Sequence, residues 1–180
     1  MASCTAFAQT RSFRDKDLTG QSMVGANLPG ADFSGANLHN TDLSKANLAG
    51  AVFRDADLRS TIFGGANLAD ADFRDALMPY IAQATSQNFQ RCNMEGLDLK
   101  GASVVYSNFG GANLRNTTNW GMVSESSFRG ADLRGANLGS ATAPGFDMSP
   151  YAMQFSGAIY DASTNSPNWI DPERIRARRM

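Results

Sequence analysis

The sequence predicts an all-β chain wound as a four-sided solenoid, with four five-residue units in each coil. Three observations predict it. Large apolar residues recur at every fifth position, at Phe13, Leu18, Met23, Leu28, Phe33, Leu38, Leu43, Leu48, Phe53, Leu58, Phe63, Leu68, Phe73 and Met78. Two residues before each of these, from Leu28 onward, stands a small residue: Ala, or Thr at 41 and 61. A second period is laid over the first, because Phe13, Phe33, Phe53 and Phe73 are twenty residues apart, as are Asn27, Asn47 and Asn67.

The five-residue unit comes first. An amphipathic helix repeats near every 3.6 residues and a half-buried strand every 2. A period of five fits neither. It suits a very short strand followed by a tight corner, with one small and one large side chain pointing inward to fill a narrow tube. Glycine stands two residues after the large one at Gly20, Gly25, Gly30, Gly35, Gly50 and Gly65, where a corner needs backbone angles that other residues resist. The coil follows from the period of twenty. Four units per coil place the phenylalanines in an inner ladder and the asparagines in an outer amide ladder.

The pattern is interrupted and resumes. A second run is centred on Phe89, Met94, Leu99, Val104, Phe109 and Leu114, and a third on Val123, Phe128, Leu133 and Leu138, with a last pair at Phe155 and Tyr160. The expected organisation is an N-terminal cap at 1–10, a repeat region at 11–162 interrupted near 79–86, 116–122 and 139–153, and a C-terminal cap with a basic tail at 163–180. Asp171-Pro172-Glu173 predicts the start of a helical turn in that cap. About 26 units give six to seven coils, a rod ~30 Å long at ~4.8 Å between stacked strands.

Composition narrows the function. Lys and Arg total 16 and Asp and Glu 17, so the net charge is −1, which predicts no nucleic-acid partner. No apolar run is long enough to span a bilayer. A single histidine argues against His-rich metal sites and against most acid–base catalysis.

His39 follows a core leucine and is expected in solvent, with no nucleophile placed beside it. Asp17, Asp32, Asp42, Asp57, Asp72, Asp98 and Asp132 occupy the slot before a core residue. They alternate there with Asn, which points to turn and ladder hydrogen bonds rather than a carboxylate pair or a metal site. Cys92 takes a small inward slot and is expected to be a buried, inert thiol, too far along the rod to pair with Cys4. Arg14-Asp15, Arg54-Asp55 and Arg74-Asp75 recur on one face and read as a surface ion-pair ladder. No catalytic residue, cofactor or metal is predicted. Interruptions of a repeat often carry binding determinants, which makes Tyr80 and Trp120 candidate interaction residues. The C-terminal arginines Arg174, Arg176, Arg178 and Arg179 are candidates for contact with an acidic partner.

Motifs such as Ala26-Asn27-Leu28, Ala31-Asp32-Phe33, Ala36-Asn37-Leu38, Ala66-Asn67-Leu68 and Ala131-Asp132-Leu133 resemble those of the pentapeptide-repeat family. The resemblance covers roughly residues 11 to 160. It implies a right-handed quadrilateral parallel β-helix. It also implies a non-catalytic structural or protein-interaction module, in a setting such as a photosynthetic membrane complex of a cyanobacterium or plastid. Some members resemble DNA mimics that protect topoisomerases, a role for which this charge is too small. Ala6-Phe7-Ala8 before Gln9 resembles the end of an export signal, and Ala2-Ser3-Cys4 a lipoprotein cleavage box, with no basic or apolar region ahead of either. A processed chain would belong to the thylakoid lumen or another exported compartment, an unprocessed one to the cytoplasm or plastid stroma.

Overall fold

The structure is a computed structural model, described for residues 12–78, 84–85, 87–100, 104–121, 123, 126–138, 154–166 and 178–179. Each five-residue unit contributes one short rung. Most rungs meet the next coil through a single parallel bridge, and the first two coils are joined by Ser12–Asp32, Asp17–Asn37, Ser22–Asp42 and Asn27–Asn47. The coil therefore contains four units. We number the faces by their first core residue: face 1 carries Phe13, face 2 Leu18, face 3 Met23 and face 4 Leu28. Four two-residue strands complete the ladders: β1 (Ala84–Thr85), β2 (Val104–Val105), β3 (Ile159–Tyr160) and β4 (Arg178–Arg179). β1 pairs in parallel with β2, and β3 with β4.

Backbone chemistry explains the corner. The amide three residues after each core centre bonds back to the centre's carbonyl, as in Gln21 N to Leu18 O at 3.0 Å and Ala51 N to Leu48 O at 2.9 Å. The third residue of such a turn must be left-handed. Glycine fills it at Gly20, Gly25 and Gly30, yet Asp15, Asn40, Lys45, Asp55, Ser60, Asp70 and Asp75 adopt the same conformation, with φ between 55° and 62°. The corner is set by the coil, and glycine only lowers its cost. Where the residue before a centre is Asp or Asn, it commonly adds a second lock. Its side-chain oxygen accepts the amide two residues on, as in Asp42 with Ser44 N at 2.9 Å and Asn108 with Gly110 N at 2.9 Å.

The core is the tube itself. Phe13, Phe33, Phe53 and Phe73 stack on face 1 with ring centroids 4.7, 5.0 and 5.1 Å apart. Above residue 87 the ladder moves to face 4, where Phe89, Phe109, Phe128 and Phe155 stack at 4.9, 5.1 and 4.8 Å. Face 1 then carries Met94, Leu114 and Leu133, all buried. The two adjoining faces thus exchange large and medium side chains, which keeps the tube filled. Where Thr replaces Ala in the small slot, its hydroxyl is satisfied inside the wall: Thr41 and Thr61 donate to the carbonyls of Leu18 and Leu38, each at 2.8 Å.

Rung spacing records the interruptions. It is 20 residues up to Asp57–Leu77, 21 at Asn67–Asn88 and Asp72–Asn93, 19 at Asn108–Ser127 and Asn113–Asp132, and 27 or 28 at Asp132–Ile159 and Asn137–Asn165. On face 1 the ladder reaches from Ser12 through Asp32, Val52, Asp72, Asn93, Asn113, Asp132 and Ile159 to Arg178. Those nine rungs exceed the six to seven coils expected and span about 38 Å at ~4.8 Å per rung. The expected caps at 1–10 and around the predicted helical turn at Asp171 lie outside the described residues.

Candidate interaction surface

The outward residues form four columns, and their chemistry differs by face. Face 4 is an amide column. Asn47 Nδ2 donates to Asn27 Oδ1 at 2.9 Å, Asn67 to Asn47 at 3.2 Å and Asn88 to Asn67 at 3.0 Å. The amide ladder expected from the period of twenty therefore continues across the 21-residue step.

Faces 1 and 2 carry charge, held in fixed pairs. Arg59, Arg74 and Arg134 each grip the aspartate two residues before them with two hydrogen bonds, of 2.9 and 2.6 Å. Arg91 grips Asp70 of the coil below at 2.7 and 2.6 Å. The guanidinium bond holds the carboxyls of Asp57, Asp132 and Asp70 below the usual carboxylate range. Burial pushes Asp72 the other way, but its bonds from Arg74 leave it lowered. For Asp17, Asp32 and Asp161 the leading cause is a neighbouring hydroxyl, from Thr19, Ser34 and Ser163. Carboxylates held ionised in this way are poor proton donors.

The Arg-Asp dipeptides do not pair internally. Arg14 reaches Asp32 at 3.2 Å, Arg54 reaches Asp75 at 4.0 Å and Arg74 takes Asp72. The reason is the corner: Asp15, Asp55 and Asp75 are the left-handed residues of their turns.

Trp120 is corrected from a surface candidate to a core residue. It is 1% exposed, and its Nε1 donates to Thr117 Oγ1 at 3.0 Å. Its ring meets Phe109 and Phe128 edge-on at 5.8 and 5.6 Å. Asn119, which the five-residue count would put inward, is instead left-handed and exposed. Arg178 and Arg179 are exposed and form strand β4, with Arg178 N bonded to Ala158 O at 2.6 Å. Tyr80, Arg174 and Arg176 lie outside the described residues. His39, expected in solvent, is half-buried, and its Nδ1 is enclosed without a hydrogen-bond partner. Cys92 is fully buried with a free thiol that burial pushes to a higher pKa.

Four large apolar side chains stand exposed among the described residues: Val24, Ile62, Leu77 and Tyr106. Leu77 sits in a shallow depression of about 210 Å³ on face 2, with Arg59, Ala76, Met78, Asp98 and Lys100. Among the described residues no group of three or more His, Cys, Asp or Glu side chains comes together as a metal site, and no helix is long and apolar enough to cross a membrane.

The family model for pentapeptide repeats matches this chain in 8 copies, over residues 12–50, 37–75 and 82–117. The chain belongs to the pentapeptide-repeat family. Among solved structures, this pentapeptide-repeat chain is similar to HetL of the cyanobacterium Nostoc sp. strain PCC 7120, a protein involved in heterocyst differentiation regulation. The identity is 21%, with 96% of this chain and 88% of that chain covered and a TM-score of 0.45. It is similar to full-length QnrB1, a plasmid-mediated fluoroquinolone resistance protein, at 19% identity, 95% and 92% coverage and a TM-score of 0.45. A pentapeptide-repeat protein from the Arabidopsis thaliana thylakoid lumen shares 24% identity over 90% and 88% of the two chains, with a TM-score of 0.31. No curated protein matches the pentapeptide-repeat sequence.

Proposed function

We propose that the chain is a non-catalytic rod that docks a protein partner. The observation that carries this reading is the commitment of the column aspartates. Asp57, Asp72 and Asp132 are each gripped by an arginine, and Asp17, Asp32, Asp42 and Asp98 each accept a backbone amide two residues on. A catalytic site needs titratable groups free to exchange protons in a cleft, whereas these groups build flat walls. The arginine tail is the docking element, because Arg178 and Arg179 are presented, exposed, on the last rung of face 1. The partner is a protein or complex with an acidic surface. A photosynthetic membrane complex is the setting that the family resemblance suggests. A DNA-mimic role is disfavoured: the last ten residues hold two acids and four arginines, which leaves a charge of only −3 on the rest, against one phosphate per ~1.7 Å of duplex axis.

The test is an affinity pull-down from native extract, read by mass spectrometry, with the intact chain and a variant carrying Arg174→Gln, Arg176→Gln, Arg178→Gln and Arg179→Gln. Glutamine keeps the backbone of the last rung and removes its charge. A partner held by the intact chain and lost from the variant supports tail docking. Equal capture by both overturns it.

A further inference from the structure

One stretch of face 4 differs from the rest. Backbone bonds stack the residues that follow its core centres. Gly30 N donates to Ala49 O, Gly50 N to Ala69 O, Asp70 N to Gln90 O, Arg91 N to Gly110 O and Gly111 N to Arg129 O, all at 2.8 to 3.0 Å. This outward column therefore runs Pro29, Ala49, Ala69, Gln90, Gly110, Arg129. Gly110 alone in it lacks a side chain, and Gly111 follows at the corner. The result is a slot one rung high, floored by two glycines, with Gln90 below and Arg129 above. Rungs are ~4.8 Å apart, so the missing row leaves the width of one extended chain. Gly110 is not left-handed, so its backbone does not call for glycine. A Cβ there would stand 3.1 Å from Asn108 Oδ1 and 3.9 Å from Gln90 Cγ, which border the slot.

The polar groups around the slot are unspent. Asn47, Asn67 and Asn88 each donate to the asparagine below. Asn108 Nδ2 has no partner among the described residues, although its Oδ1 accepts Gly110 N. The carboxamide of Gln90 and the guanidinium of Arg129 also have none among them. Arg59, Arg74, Arg91 and Arg134, by contrast, are spent on aspartates. Above Asp70, which Arg91 neutralises, face 4 carries no carboxylate among the described residues. Tyr106 stands at the corner leading into the slot, two residues before Asn108. It is 62% exposed and left-handed, with φ of 57°, the one aromatic among the described non-glycine residues in that conformation. A bulky residue resists these angles, and strain kept at an exposed aromatic points to binding.

We infer that the slot over Gly110 binds an extended acidic segment of a protein partner. Arg129 takes a carboxylate of the segment. The carboxamides of Asn108 and Gln90 carry both donors and an acceptor, which match the C=O and N–H of a peptide group. Tyr106 receives an apolar side chain at the slot's entrance. This rests on the reading of the chain as a rod that docks a protein, but not on its arginine tail.

The probe is a set of short capped peptides of Val, Thr and Tyr, each with one Glu at a varied position. The same peptides with Gln in place of Glu are the controls. Fluorescence polarisation reads binding to the intact chain. Glu peptides should bind at least ~10-fold more tightly than their Gln counterparts. Three variants locate the site: Arg129→Gln, Tyr106→Gly, and Gly110→Gln, which fills the slot with the side chain that the rung below already carries. Each should weaken binding at least ~10-fold. Tyr106→Gly should also unfold at no lower urea concentration than the intact chain, which separates lost binding from lost folding. The variant with all four tail arginines changed to Gln should bind the peptides as the intact chain does, so slot and tail stand or fall separately. Equal binding of Glu and Gln peptides overturns the proposal, as does unchanged affinity in Gly110→Gln. Tighter binding of an oligogalacturonate than of any peptide also overturns it and makes the slot a sugar-acid site.

Discussion

A left-handed corner residue is the smallest unit of this fold, and its side chain decides what the corner tolerates. Gly25 and Gly35 share the same backbone, with φ of 68° and 66°. A Cβ at Gly25 would meet nothing nearby, whereas at Gly35 it would collide with Asp15 Oδ1. Gly25→Ala should therefore cost only the left-handed penalty of about 1 kcal/mol. Gly35→Ala should cost more, because Asp15 must also move. Chemical denaturation of the two variants checks this, and equal losses would contradict it. The residue scale is also where the sequence was least legible. Glycine marked six corners of the first run, but nothing in the letters Asp15, Lys45 or Ser60 announces a left-handed residue. The partners of Arg14 and Arg54 were missed for the same reason. Trp120 was misplaced because a one-residue deletion lets the side chain after Asn119 take the inward slot, which a count of five cannot see.

At the scale of the element, the ladder is the stabilising unit. The spacing of Phe13, Phe33, Phe53 and Phe73 showed it directly, and the centres Phe89, Phe109 and Phe128 carried its second half. The change of face between the halves was hidden, because the interruption at 79–86 leaves open which face the second run occupies; Asn67–Asn88 and Asp72–Asn93 place Phe89 above Leu68 and Met94 above Phe73. Phe109 sits in the middle of the upper ladder, stacked on Phe89 and Phe128 and touching Trp120 edge-on. Phe109→Ala would leave a cavity bounded by rings on three sides, at a cost of about 3–5 kcal/mol. Phe109→Leu should cost much less, because Leu68 fills the equivalent position lower on face 4. Urea midpoints of the two variants would show the difference, and a similar loss for both would argue that the ring stack itself, rather than volume, matters.

For the whole molecule, stability is a sum over neighbouring coils, and among the described residues the interface above Met78 is bridged by Asn67–Asn88 and Asp72–Asn93 on faces 4 and 1 but not between Leu77 and Asp98 on face 2. The lower stack of coils, up to Met78, and the upper stack, from Gln87 on, should then unfold in separate steps. Trp120 is buried in the upper stack and reports it by fluorescence once Trp169→Phe removes the other tryptophan. Far-ultraviolet circular dichroism reports both stacks. Non-coincident urea transitions are the expected result; coincident ones would mean that the bridges on faces 4 and 1 couple the stacks into one cooperative unit.

The rung spacings carry a consequence for how such a chain can change length over generations. Contacts join a residue to the one a coil away, so duplicating any twenty residues inserts a complete coil and leaves every other neighbour relation as it was. A change of other length is absorbed within its own coil. This chain contains one added residue, in the 21-residue steps, and later one fewer, in the 19-residue steps, and the ladder of face 1 runs through both, so that Met94, Leu114 and Leu133 stay on the face on which Phe13 began. Length is thus a freely inheritable trait of this rod, and single-residue changes leave the faces of the coils beyond them in place.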